Sequence, residues 1–237
     1  MGTIKRLTRP RFFFVYPLAV VAFLTAHTTE AAFVASVVLL ILGEAVRFWA
    51  NGYVGHRKVN WTQHWRNDPK IGVLMTAGPY SYVRHPLYFG SLLIALGVYC
   101  LVGRWWLGAA GLLALALIYR SKIAQEEQVL AHEAGDAFAR YRAAVPAILP
   151  TWRRYDRRSG SWSWQGVVAS REWKTLIWSL VIWALFYVRE EVIQEREHFF
   201  SQHSVFRIVL AGIVLAAIAV DVMVELRRQR AKRLAST

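Results

Sequence analysis

Charge-poor apolar runs recur along the chain at about residues 12–29, 31–50, 86–103, 105–119, 175–188 and 204–224, with polar stretches of very unequal length between them. A helix that crosses a bilayer needs about 20 such residues, within a range of about 17–25. The pattern therefore predicts six membrane spans. The fourth and fifth runs are short, but Trp105, Trp106, Trp173 and Trp178 at their ends suit the membrane–water interface and extend them. The first run has a basic lead (Lys5, Arg6, Arg9, Arg11), yet "FLTAHTTEAAF" carries it directly into the second. It reads as one arm of a helical hairpin and not as a cleaved signal peptide. The expected fold is all-α, a polytopic integral membrane helical bundle of about six transmembrane helices. No internal repeat is present. A four-span core over 1–150 is expected, then a basic linker over 151–174 containing "RRYDRRSGSWSWQG", then a two-span hairpin with a basic tail over 175–237.

Charge orients this bundle. The 237 residues carry a formal net charge of +14, and 56% of them are hydrophobic. A basic balance of this size points to nucleic acid or to anionic lipid. Here the basic residues sit between apolar runs, which selects anionic lipid headgroups and argues against nucleic acid. With both termini in the cytoplasm, 4 Lys/Arg precede the first span, 5 lie in 51–86, 10 in 120–175 and 5 follow the last span. Every cytoplasmic segment then satisfies the positive-inside rule. The acidic "REEVIQEREHFFSQH" falls outside, and a multi-pass protein of a bacterial inner membrane is expected. The single cysteine, Cys100, excludes an internal disulfide and a multi-cysteine metal site; no metal is expected.

Polar groups beside membrane spans are costly and tend to be functional. Three clusters stand out, all on the expected cytoplasmic side. In "GPYSYVRHPLYFG" (78–90), Pro86 suits the first position of a helix, and the residue before a proline is pushed out of helical geometry. His85 then sits near the N-cap of span three, with Tyr88 and Gly90 in its first turns, at an end whose free amides attract anions. Taken singly, Arg84 reads as an interface anchor and Tyr80 and Tyr82 as an aromatic belt. In "AQEEQVLAHEAGDAFARYRAAVPAILP" (124–150), span four is expected to continue as one helix past Tyr119. Glu126 and Glu127 lie about 100° apart on it. One faces a shared site and the other pairs with Arg120 or Lys122. Gly135 is expected to end that helix. In "GEAVRFWANGY" (43–53), Glu44 and Arg47 share a helix face, as an ion pair or with Arg47 left to bind a substrate or cofactor carboxylate.

R-H-P-x-Y-x-G, followed about 35 residues later by E-E-x-x-L…G-x-x-F-x-x-Y-x-x-x-V-P-x-x-x-P, resembles the isoprenylcysteine carboxyl methyltransferase family and its wider group of membrane phospholipid methyltransferases. "VRFWANGY" is similar to that family's segment ahead of the motif, and the resemblance spans about residues 43–150. Ala134, Phe138 and Ala147 depart from the common pattern. The resemblance implies an integral membrane methyltransferase that uses S-adenosylmethionine at the cytosolic face. Its substrate is a membrane lipid, or a prenylated or lipid-like small molecule. It also implies cofactor contacts at His85, Pro86, Tyr88, Gly90, Glu126 and Glu127. The chemistry agrees. A glutamate suits the cofactor's ammonium, tyrosine faces suit cationic centres, and a helix N-terminus beside His85 or Arg84 suits its carboxylate. Methyl transfer expels a neutral thioether, so a carboxylate acceptor needs no base, only Arg47 or Arg84 to place it. An amine or thiol acceptor needs its proton removed, and His85 has a suitable pKa. Two other readings stand beside this one. One is an NADPH-dependent sterol-type membrane reductase, for which Arg153, Arg154, Arg157 and Arg158 offer a phosphate-binding cluster. The other is a non-catalytic membrane protein.

Overall fold

A computed structural model describes residues 15–54 and 74–194, with five further positions between 212 and 223. Every regular element among the described residues is helical. They are α1 (Val15–Thr25), α2 (Glu30–Val54), a single 3₁₀ turn (Gly78–Ser81), α3 (Pro86–Val102), α4 (Trp105–Ala144), α5 (Trp164–Ser170) and α6 (Glu172–Gln194). The chain forms two compact units, 1–172 and 173–237. Most of the sixth apolar run, and most of the acidic stretch before it, lie outside the described residues.

Helices over 31–54 and 105–144 are long and apolar enough to cross a membrane, whereas α3 is apolar but has only 17 residues. α1 is an 11-residue helix, shorter than the apolar run that contains it. α2 and α3 lie in very close contact, because small residues meet at two levels. A Cβ on Gly43 would stand 2.7 Å from the Gly90 carbonyl oxygen, and one on Gly97 would stand 2.9 Å from that of Ser36. At the far end, Gly103 ends α3 in the left-handed conformation (φ 63°), and its amide donates to the Tyr99 carbonyl. A Cβ there would collide with the His27 carbonyl. Glycine is therefore required on both counts. His27 N–H and Thr28 Oγ1 donate to the Val102 and Leu101 carbonyls, and Arg104 Nε donates to that of Thr25. These bonds tie the α1–α2 turn to the α3–α4 turn.

α4 has 40 residues, about 60 Å at 1.5 Å per residue, twice the hydrocarbon thickness of a bilayer. Gly135 does not end it. The glycine is a kink (φ 48°, ψ −125°), and helix resumes to Ala144, with Val145 and Pro146 closing it. Beyond the kink, Phe138, Tyr141 and Val145 form a buried cluster against Leu74, Leu130, Ala134 and Tyr155.

The basic stretch expected as a linker is packed along the 3₁₀ turn. Thr151 and Tyr155 amides donate to the Tyr82 and Ser81 carbonyls, and Thr76 and Ala77 amides donate to that of Ser159. Ser163 caps α5 by accepting from the Gly166 amide, and its own amide donates to the Gly52 carbonyl at the end of α2. In the second unit, Trp183 and Tyr187, one turn apart on α6, stack with ring centroids 5.8 Å apart.

Candidate functional site

The two halves of the sequence motif meet through their backbones. The Arg84 amide donates to the Pro146 carbonyl (2.8 Å) and the His85 amide to that of Ala147 (3.0 Å). Proline at 86 starts α3 with the amide it lacks at the position where none is needed, and His85 is the N-cap residue. The Tyr88 and Phe89 amides both donate to the His85 carbonyl (3.1 Å each). Those two donors are therefore not open to an anion, and the expected anion site at this helix end loses them.

A cavity of about 360 Å³ opens where α2, the 3₁₀ turn, α3 and α4 converge. Arg47 enters it from α2, Tyr80, Arg84 and His85 from the turn, Pro86, Tyr88 and Ser91 from α3, and Tyr119, Lys122 and Glu126 from α4. Glu126 is the acid that faces this space, its side chain 25% exposed. It accepts a 2.6 Å hydrogen bond from the Tyr88 hydroxyl, whose ring lies 4.6 Å from that of Tyr119.

Glu127 is outside the lining and buried. Its partners are Arg84 (2.8 Å), His85 Nε2 (3.2 Å) and Arg142 (3.5 Å), in place of the expected Arg120 or Lys122. The helix turn explains this: a residue 100° round from Glu126 points back at the motif turn packed under α4. Arg84 is bound on all sides, because its remaining donors go to the Arg142 and Val145 carbonyls. It locks the turn to α4, and little of it is left to place a substrate. His85 lies between two carboxylates, with Nδ1 3.5 Å from Glu126 and Nε2 3.2 Å from Glu127. Burial lowers its pKa, but hydrogen bonding and attraction from Glu126 and Glu127 raise it further, so the net direction is upward. The two carboxylates thus favour the protonated ring.

Gly90 also lies outside the lining. A Cβ there would meet the Arg47 side chain at 2.5 Å and the Gly43 carbonyl at 2.7 Å, so its role is to admit α2. Arg47 donates through Nε to Glu172 and through Nη1 to the Leu87 carbonyl (3.1 Å) and the Ser91 hydroxyl. Sequence reasoning missed Glu172, which no motif marks. It also placed Tyr80 in an interface belt, whereas Tyr80 is buried and lines the cavity. Phe138 is buried and lines the cavity too. Ala134 packs against the cluster around it, so the departures from the family pattern alter the wall and not the acids. Among the described residues, no three His, Cys, Asp or Glu side chains gather in a way that could hold a metal ion.

Residues 36–132 match the isoprenylcysteine carboxyl methyltransferase (ICMT) family. The cobalt-zinc-cadmium resistance protein CzcN of Cupriavidus metallidurans is 34% identical over 132 residues, 54% of this chain and 55% of that protein. The protein-S-isoprenylcysteine O-methyltransferase of Schizosaccharomyces pombe is 34% identical over 111 residues, 47% of this chain and 46% of the yeast protein. The human enzyme of the same name is 26% identical over 117 residues, 49% of this chain and 40% of its own length. The chain thus spans about half the length of the curated relatives it matches. No solved structure matches it. The matched segment carries Arg47, the Arg-His-Pro turn, Tyr88, Gly90 and both glutamates. Over residues 36–132 the chain is similar to the isoprenylcysteine carboxyl methyltransferase family.

Proposed function

We propose that the cavity binds S-adenosylmethionine and that the protein transfers its methyl group to a lipid-like acceptor at the cytosolic face of a membrane. The observation that carries this reading is Glu126. It offers a partly open carboxylate to a cavity walled by tyrosine rings, at the start of an apolar helix. The donor set suits the cofactor group by group. Glu126 accepts its ammonium, the faces of Tyr88 and Tyr119 suit its cationic sulfur, and Lys122 is a cation in reach of a carboxylate. When bound, the cofactor supplies an electrophilic methyl group on a sulfonium. The protein's part is to orient, to exclude water and to hold charge. Orientation alone is worth about 7–11 kcal/mol of barrier in favourable cases.

The membrane location rests on α2 and α4. Only 22% of the apolar window of each is buried within the protein, as expected of helices that face lipid and not of core helices. An acceptor that needs no deprotonation, such as the carboxylate of a prenylated cysteine, fits a site in which His85 lies between two carboxylates. The reductase reading is weakened, because Arg153, Arg154, Arg157 and Arg158 are exposed and none lines the cavity.

The test is label transfer. Membranes containing the protein are incubated with methyl-labelled S-adenosylmethionine and a prenylated cysteine that has a free carboxylate. We expect label in the lipid fraction that mild base releases as methanol, the mark of an ester. Label that resists base would move the acceptor to an amine or thiol. No label above control membranes would overturn the proposal.

A further inference from the structure

Arg47 is a cavity-lining cation contributed by α2. Its neighbour Ser91 lies six residues beyond His85, about 9 Å further along α3 towards the apolar side. Its counter-charge comes from Glu172, which lies beyond the family-matched segment and 125 residues away in sequence. Glu172 is buried, at 4% exposure, and opens α6 at the end of the first unit. One carboxylate oxygen accepts from Arg47 Nε, and the other accepts a 2.6 Å bond from Asn51 Nδ2. Asn51 Nδ2 also donates to the Arg47 carbonyl (2.8 Å), so both acceptors fix the amide orientation. Its Oδ1 is consequently left buried without a partner. Leaving a buried amide oxygen unsatisfied is unfavourable, so this arrangement is not the cheapest way to pack the end of α2. It does fix the guanidinium: Glu172 takes the Nε edge while Leu87 and Ser91 take Nη1.

We infer that Glu172 is a positioning residue, which holds Arg47 at the cavity, where the anionic head of the acceptor is placed. The inference rests on the proposed methyl transfer at this site. It adds that a segment outside the family core, through one buried carboxylate, sets acceptor binding. Removing the carboxylate takes away a charged partner that holds the Nε edge of Arg47 in one rotamer.

The test uses the full-length protein in detergent, with S-adenosylhomocysteine for cofactor binding and a prenylated cysteine as acceptor. S-adenosylhomocysteine binding by the unaltered protein tests the underlying reading separately. Glu172→Gln should raise the acceptor KM at least fivefold while S-adenosylhomocysteine affinity changes less than twofold. Glu172→Asp should recover part of the loss. Arg47→Gln should raise the acceptor KM by itself, and adding Glu172→Gln to it should change KM less than twofold further, because Glu172 acts only through Arg47. That double variant also removes both charges together, so it folds even if Glu172→Gln alone does not. An additive double variant, or an unchanged acceptor KM in Glu172→Gln, would overturn the inference.

Discussion

Glu126 and Glu127 are neighbours in sequence with opposite work. Glu127 is satisfied by Arg84, His85 and Arg142 and is sealed under α4, while Glu126, held by Tyr88 and His85, faces the cavity with its side chain 25% exposed. Glu126→Gln should therefore weaken S-adenosylhomocysteine binding by about 1.5–3 kcal/mol, the worth of a charged hydrogen bond, with the protein still folded. Glu127→Gln should act first on stability, because it leaves Arg84 buried without its anion. Calorimetry and thermal unfolding of the two variants separate these outcomes. His85 adds a pH dependence with a definite sign. Its pKa is raised in the folded protein, so the stability it contributes is present in full below the unfolded value of about 6.5. That contribution is lost as pH climbs through the higher folded value. Thermal stability should fall as pH rises above about 6.5, and His85→Asn should flatten that part of the profile. A profile unchanged by the substitution would show that His85 does not carry the effect.

At the scale of helices, what could be read in advance was local. Pro86 starts α3 as expected, because proline acts on the backbone of its own residue. The pairing of Arg47 with Glu172 was not legible. Charge patterning along one helix points to Glu44, three residues away, and says nothing of Glu172, which tertiary packing brings in. Gly135 shows the same limit in another form. A glycine can take the positive φ that ends a helix, but whether helix resumes depends on what the next turn buries, here Phe138 and Tyr141. Gly90 was legible as a point of close approach, and the structure identifies α2 as the element that approaches. Gly90→Ala should destabilise the protein by about 1–3 kcal/mol, because the new methyl meets the Gly43 carbonyl and the Arg47 stem. A melting temperature equal to that of the unaltered protein would show that α2 and α3 separate freely.

Across the whole molecule, charge and hydropathy speak to orientation while side-chain geometry speaks to chemistry. The apolar surfaces of α2 and α4 suit helices that cross a membrane, and the expectation of both termini in the cytoplasm comes from the positive-inside count. A reporter fused after Thr237 should read as cytoplasmic, and an external reading would replace six spans with an odd number. The cavity is built at the end of the apolar helices, where a soluble cofactor and a membrane-held acceptor can both arrive. The central claim is that this cavity is a site for S-adenosylmethionine. Calorimetry of the purified protein in detergent, titrated with S-adenosylhomocysteine and separately with NADPH, tests it most directly. Saturable heat with S-adenosylhomocysteine, weakened by Glu126→Gln, and none with NADPH are expected; binding of NADPH alone would rule out a site for S-adenosylmethionine.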